Sequence, residues 1–172
     1  MSREYGLTLT ELLITLAVAA VLATLAIPGF AGMVREQQLI TTTNTFISAL
    51  HTARWEAVKR GHHALLCPST DGLQCTDTTY TEGWIVGVVE HPVTGSVIQP
   101  NTVIRHFGPV PASVTIHTNG TMGEYIAYRN DGQTRRLNGA LQMGSVWLCH
   151  GETGRRIVIS RTGRARVEIT SC

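Results

Sequence analysis

The chain has 172 residues, 14 of them basic and 12 acidic, for a formal net charge of +2. A chain of this size makes about one compact domain, and a charge so near neutral excludes a protein that is basic throughout. No GxSxG, HExxH or P-loop pattern occurs, so the sequence supports neither an enzyme nor a cofactor site.

The first five residues, Met1 to Tyr5, are polar and carry Arg3 and Glu4. Gly6 to Val34 then reads GLTLTELLITLAVAAVLATLAIPGFAGMV. After Glu11 no charge follows until Arg35, which leaves about 23 uncharged and mostly apolar residues, the length a helix needs to cross a bilayer. Glu11 stands alone near one end of this run. A carboxylate in lipid is costly unless a cation pairs with it, which marks Glu11 as functional. A secretory signal places its small-residue cleavage site after the apolar run. Here the small residue, Gly6, lies before it, so the helix is expected to stay on the mature chain.

Pro28, Gly29 and Gly32 weaken the helix partway along, since a helical proline removes a backbone hydrogen bond. From Arg35 onward the helix turns amphipathic. Phe46, Ile47, Leu50, Ala53, Ala57 and Val58 form one apolar stripe at helical spacing. Thr41 to Thr45 is a patch of weak helix formers. Lys59 and Arg60 suit the negative end of the helix dipole, and Gly61 is a terminator. A single helix is therefore expected from about Leu7 to Arg60.

After Gly61 the texture changes to short β-like runs between Gly, Pro and Asn. They are His63 to Cys67, Gly83 to Glu90, Thr102 to Phe107, Val114 to His117, Tyr125 to Arg129, Ser145 to His150, Arg155 to Ser160 and Arg164 to Thr170. So many short strands predict two packed antiparallel sheets, and with the helix an α+β fold. Trp55, Trp84 and Trp147 occupy apparent core or strand positions.

The four cysteines, Cys67, Cys75, Cys149 and Cys172, allow three connectivities. Cys67 and Cys75 bracket a turn-rich loop, Pro68 to Gly72, that can bring them together. That choice leaves Cys149 with Cys172, whereas a Cys67–Cys149 link is the alternative that mapping would expose. Their spacing is poor for zinc. Adjacent His62 and His63 point oppositely on a strand, so they are a poor metal site.

The charge is uneven. Arg129, Arg135, Arg136, Arg155, Arg156, Arg161, Arg164 and Arg166 lie in the last quarter, against Asp131, Glu152 and Glu168. The final segment reads as a hairpin with its turn at Arg161-Thr162-Gly163. In the return strand Ala165, Val167 and Ile169 share one face, and Arg164, Arg166 and Glu168 the other. The apolar face must pack, so Arg164 and Arg166 point to solvent beside each other, about 7 Å apart, close to the spacing of phosphates along one DNA strand. Arg161 sits beside them, the turn at Gly163 is expected to let the backbone approach a ligand closely because no side chain intervenes, and Arg155 and Arg156 lie on the neighbouring strand. None of the tryptophans interleaves with these arginines in the sequence, so a base-stacking platform is not indicated. A bare solvated sheet edge is the competing reading.

The start, Gly6 followed by Leu7-Thr8-Leu9-Thr10-Glu11-Leu12-Leu13, a long apolar helix and Pro28, resembles the class III signal of type IV pilins and type II secretion pseudopilins. The resemblance implies a leader over residues 1–6 and cleavage after Gly6 by a prepilin peptidase, with N-methylation of Leu7. It further implies a transmembrane and assembly helix over 7–34, an amphipathic half over 35–61, and a globular β domain over 62–172. Phe is the usual residue at the new terminus, so Leu7 departs from the commonest pattern. In such proteins Glu11 pairs with the terminal amine of a neighbouring subunit. Gly163-Arg164-Ala165-Arg166 is similar to the GRxR motif of DNA-binding minor pilins of the FimT/GspH family. The Cys67-Pro68 loop and the Gly83-Trp84 and Leu148-Cys149 strands also look like that family. The resemblance implies a single-pass inner-membrane protein with a periplasmic domain, later carried on a surface pilus among major and minor pilins. Double-stranded DNA, held by its backbone for natural transformation, is the implied ligand. A structural pseudopilin of type II secretion, without DNA affinity, is the alternative.

Overall fold

The computed structural model describes residues 8–90, 100 and 102–172, without the side chains of 25–29 and 31. Gly6 and Leu7, and with them the leader over 1–6, lie outside the described residues. Helix α1 (Leu9–Arg60) is followed by strands β1 (His63–Pro68), β2 (Trp84–Val89), β3 (Thr102–Phe107), β4 (Thr115–Thr118), β5 (Ile126–Tyr128), β6 (Gly144–His150), β7 (Thr153–Ile159) and β8 (Ala165–Ser171). All eight expected strands are present, with ends shifted by a residue or two. The chain divides into two compact units, residues 1–37 and 38–172. The amphipathic part of α1 thus belongs with the β strands.

In the first unit, Thr8 and Glu11 open the helix with a reciprocal cap. The Glu11 N–H donates to Thr8 Oγ1 at 3.3 Å, and the Thr8 N–H donates to Glu11 Oε2 at 3.0 Å. This is a capping box, which satisfies two backbone donors that a helix start leaves open. The large apolar side chains that follow, including Leu12, Leu13, Ile14, Leu16, Val21 and Leu22, are exposed. Backbone helix continues through Pro28. Among the described residues no helix is long and apolar enough to cross a membrane. The run expected to do so includes Leu7, 25–29 and 31, whose side chains are not described.

In the second unit the sheets have strand orders β3-β2-β1-β5 and β4-β6-β7-β8, with every pair antiparallel. One core joins α1 to both sheets. Leu39, Phe46, Ala49, Leu50, Ala53 and Ala57 of the helix meet Leu66, Trp84 and Val86 of the first sheet and Val146, Leu148, Ile157 and Ile159 of the second. Phe46 is the anchor, with Tyr80 edge-on at 5.2 Å and the Trp84 ring at 5.3 Å. Within the weak patch, Thr42, Thr43 and Thr45 turn their hydroxyls back onto helix carbonyls. That lets Thr42 and Thr43 be buried without an orphan donor. A smaller core of Leu65, Cys67, Ile85, Val89, Ala127 and Leu137 covers the other face of the first sheet. Burial on both faces is why β1 and β2 read as unbroken apolar runs.

Two expectations about side chains are corrected. Trp55 and Val58 are exposed rather than part of the helix stripe and core. They lie off the side of the helix that buries Leu50, Ala53 and Ala57, so their apolar character was no guide to burial. The apolar face of β8 does not pack as a whole either. Ala165 reaches the core, but Val167 is 40% exposed and Ile169 82%. The strand lies at the sheet edge, and the core ends before it does.

Candidate nucleic-acid interface

The β7–β8 hairpin closes through three residues, Arg161 to Gly163. The Ser160 N–H donates to the Arg164 carbonyl at 3.0 Å, and the Gly163 N–H to the Ser160 carbonyl at 2.9 Å. Gly163 has φ +77°, the left-handed residue that such a hairpin turn needs. The turn is also fastened from outside. Arg54 of α1 donates to the Thr162 carbonyl at 3.2 Å and the Gly163 carbonyl at 3.4 Å. The Thr134 N–H donates to the Arg161 carbonyl at 3.1 Å, and its hydroxyl to the Ser160 carbonyl at 2.8 Å.

Gly163 itself is buried. A Cβ there would overlap the Gly132 carbonyl and press on Tyr128 and Arg54. The missing side chain therefore serves packing within the domain. The expectation that it opens the backbone to a ligand is corrected on that ground.

The arginines separate by face. Ile157, Ile159, Val146 and Leu148 point into the core. Strand alternation then turns Arg156, Val158 and Trp147 outward. Arg166 pairs with Val158 across the ladder and Glu168 with Arg156, so both share this outer face. Arg155 pairs with Ile169 and Leu148 and lies on the inner side. Of the two arginines expected on the neighbouring strand, only Arg156 joins Arg166.

On the outer face Glu168 bridges two cations. Its Oε2 accepts from Arg156 Nη2 at 2.9 Å, and its Oε1 from Arg166 Nε at 2.9 Å. Arg161 and Arg164 at the tip are exposed and have no carboxylate partner among the described residues. Nearby, Arg129 is loosely paired with Asp131 at 3.7 Å. Burial first, and then the Arg129 charge, holds the His63 imidazole below its ordinary value, which disfavours its charged form.

Both disulfides of the favoured connectivity are present, Cys67–Cys75 and Cys149–Cys172. The second joins β6 to the end of β8 and passes over β7 at Gly154, where a Cβ would collide with Cys172 Sγ. That collision explains a glycine within β7. Among the described residues no three His, Cys, Asp or Glu side chains are placed to hold a metal ion.

The family described as "Type II transport protein GspH" matches residues 42–163, well over half of the chain. The chain belongs to the GspH family. Membership covers the helix from Thr42 and the sheets up to Gly163, so Arg164 and Arg166 lie just beyond the matched stretch. The prokaryotic N-terminal methylation motif matches residues 1–27. Two crystal forms of the type IV minor pilin FimU from Pseudomonas aeruginosa (strain PAO1) share the fold. One is 21% identical, covering 76% of this chain and 92% of FimU, with a TM-score of 0.56. The other is 20% identical, covering 77% and 90%, with a TM-score of 0.58. No curated protein matches this chain. As a GspH-family chain with a methylation motif, it is a pilin-like assembly component rather than an enzyme. Its partners are other pilins and the peptidase that reads the leader.

Proposed function

We propose that this chain is a minor pilin of a type IV pilus that holds double-stranded DNA by its C-terminal arginine hairpin for natural transformation. The observation that carries this is the tip itself. Arg161 and Arg164 are exposed and unpaired, on a turn whose backbone is fixed by Arg54 and Thr134. A turn already fixed has no backbone freedom to lose when its arginines meet phosphate, and each contact releases counterions. Arg166 and Arg156 extend the basic surface along the outer face. Binding is through the backbone, tolerant of sequence and steeply salt-dependent.

In this reading the leader is removed after Gly6 and Leu7 is methylated. The chain waits in the inner membrane as a single-pass protein with its domain in the periplasm, and Glu11 pairs with the amine of a neighbour on assembly. The test is a titration of the full chain in detergent with duplex DNA at two salt concentrations. Replacing Arg164 and Arg166 with Gln is expected to weaken binding and flatten its salt dependence, with the fold intact. Equal binding by both proteins would reduce the arginines to a solvated sheet edge.

A specific observation favours a second reading, a structural pseudopilin of type II secretion without DNA affinity. Arg156 and Arg166 are both occupied by Glu168, and the family match ends before Arg164. The same titration separates the two.

A further inference from the structure

The sequence keeps Trp147 apart from the arginines, but the register of the second sheet does not. His117 pairs with Trp147, Trp147 with Arg156, and Arg156 with Glu168. These four side chains form one row across the sheet on its outer face, one from each strand. Neighbouring strands lie about 4.8 Å apart, so the row is about 14 Å wide. The Arg156 guanidinium carbon is 5.9 Å from the Trp147 ring centre. Arg166 follows one row along, beside Val158. Trp147 is half-buried and is packed in neither core.

An indole on an outward sheet surface, flanked by the His117 imidazole and the Arg156 guanidinium, with Arg166 farther across the same face, has the chemistry that takes unpaired bases. The ring and the Arg156 plane offer stacking, and the arginines offer charge for the phosphates. A duplex cannot use the ring, because its bases are already stacked on one another. A single strand can.

We propose that the outer face of the second sheet binds single-stranded nucleic acid, with a base stacked at Trp147 and its phosphates on Arg156 and Arg166. The inference rests on the hairpin reading above and adds a second mode to it. Duplex is held through its backbone alone by the arginines of the tip and the outer face, whereas a single strand also stacks a base on Trp147. The ligand class follows from the ring, and the positions of Trp147 on β6, Arg156 on β7 and Arg166 on β8 set the strand's path.

The test uses the full chain in detergent, with a labelled oligothymidylate of about 12 nucleotides and a duplex of equal length. Trp147→Leu is expected to weaken binding of the oligothymidylate about tenfold, the loss of one stacked base, and to leave duplex binding within about twofold. Titration with the oligothymidylate is expected to quench tryptophan emission. Trp147→Phe, which keeps a ring and the fold, is expected to remove that quenching while retaining most of the binding. Unchanged oligothymidylate affinity in Trp147→Leu, or undiminished quenching in Trp147→Phe, overturns the platform and leaves the hairpin reading standing. If the wild-type chain binds neither nucleic acid, both fall. Loss of single-strand binding in Trp147→Leu with duplex binding kept supports the platform alone.

Discussion

Glu168 is the residue to remove first. Its two oxygens hold Arg156 and Arg166 at 2.9 Å each, so a phosphate that uses these arginines must displace the carboxylate. Glu168→Gln keeps the shape and removes the charge. The Glu168 and Arg156 side chains are each 37% exposed and that of Arg166 is 63% exposed, so solvent screens both pairs. Each is worth about 0.5 kcal/mol on that account. Releasing both adds about 1 kcal/mol to DNA binding, or about fivefold in Kd. Each arginine that the carboxylate had kept from phosphate also steepens the slope of log K against log salt by roughly 0.9. The assay is fluorescence anisotropy with a labelled duplex at several salt concentrations, on wild type and variant in detergent. A denaturation curve should show a loss of about 1 kcal/mol or less, which certifies that the fold is intact. Glu168→Gln binding no tighter, with the slope unchanged, would mean that Arg156 and Arg166 touch no phosphate.

Three other substitutions test the structure around the hairpin and the helix start. Gly163→Ala should cost well over 2 kcal/mol in denaturant unfolding, since a left-handed backbone is joined by overlap with the Gly132 carbonyl, whereas Gly151→Ala, left-handed but in open space, should cost about 1 to 2. The reverse order would contradict the packing of the turn. Cys149→Ser with Cys172→Ser should lose about 3 kcal/mol for the 23-residue separation. Hydrogen exchange should then rise at Ile169 and Thr170 while the turn, held by Arg54 and Thr134, stays protected; uniform exchange along β8 would refute that. Glu11→Gln should preserve the capping box but prevent charge pairing, so reduced pilus incorporation of a normally helical variant is the expected result. Normal incorporation would assign Glu11 to the cap alone.

Much of the fold was legible because it is local. The helix is written in hydrophobic spacing and ends at a glycine, and each strand lies between turn residues. The disulfide pairing followed from a loop of eight residues' separation that left only one other pair. What was not legible depends on partners far away in the chain. Alternation in β8 is plain, but whether Val167 and Ile169 find anything to pack on depends on where the core stops. Trp147 and Arg156 are neighbours only because β6 and β7 pair in one register, and a shift of one residue would place them on opposite faces. Gly163 was recognisable as a turn residue, yet its burial comes from Gly132 and Arg54, which are distant in sequence. The capping box was readable as Thr8-x-x-Glu11, a pattern that the lone charge in an apolar run overshadowed.

The bridge over Gly154 also sets the mechanics of the hairpin. Tension applied to the tip along the strand axis loads the ladders between β6, β7 and β8 in shear, where their hydrogen bonds resist together because they lie across the direction of pull. Any sliding of β8 past β6 is stopped by the covalent link between Cys149 and Cys172 at the far end. Tension applied sideways peels β8 from the tip one bond at a time, until the same link halts it. The strand that ends the chain is thus a tether with a fixed stop, and a load taken up at the tip passes into the middle of the sheet.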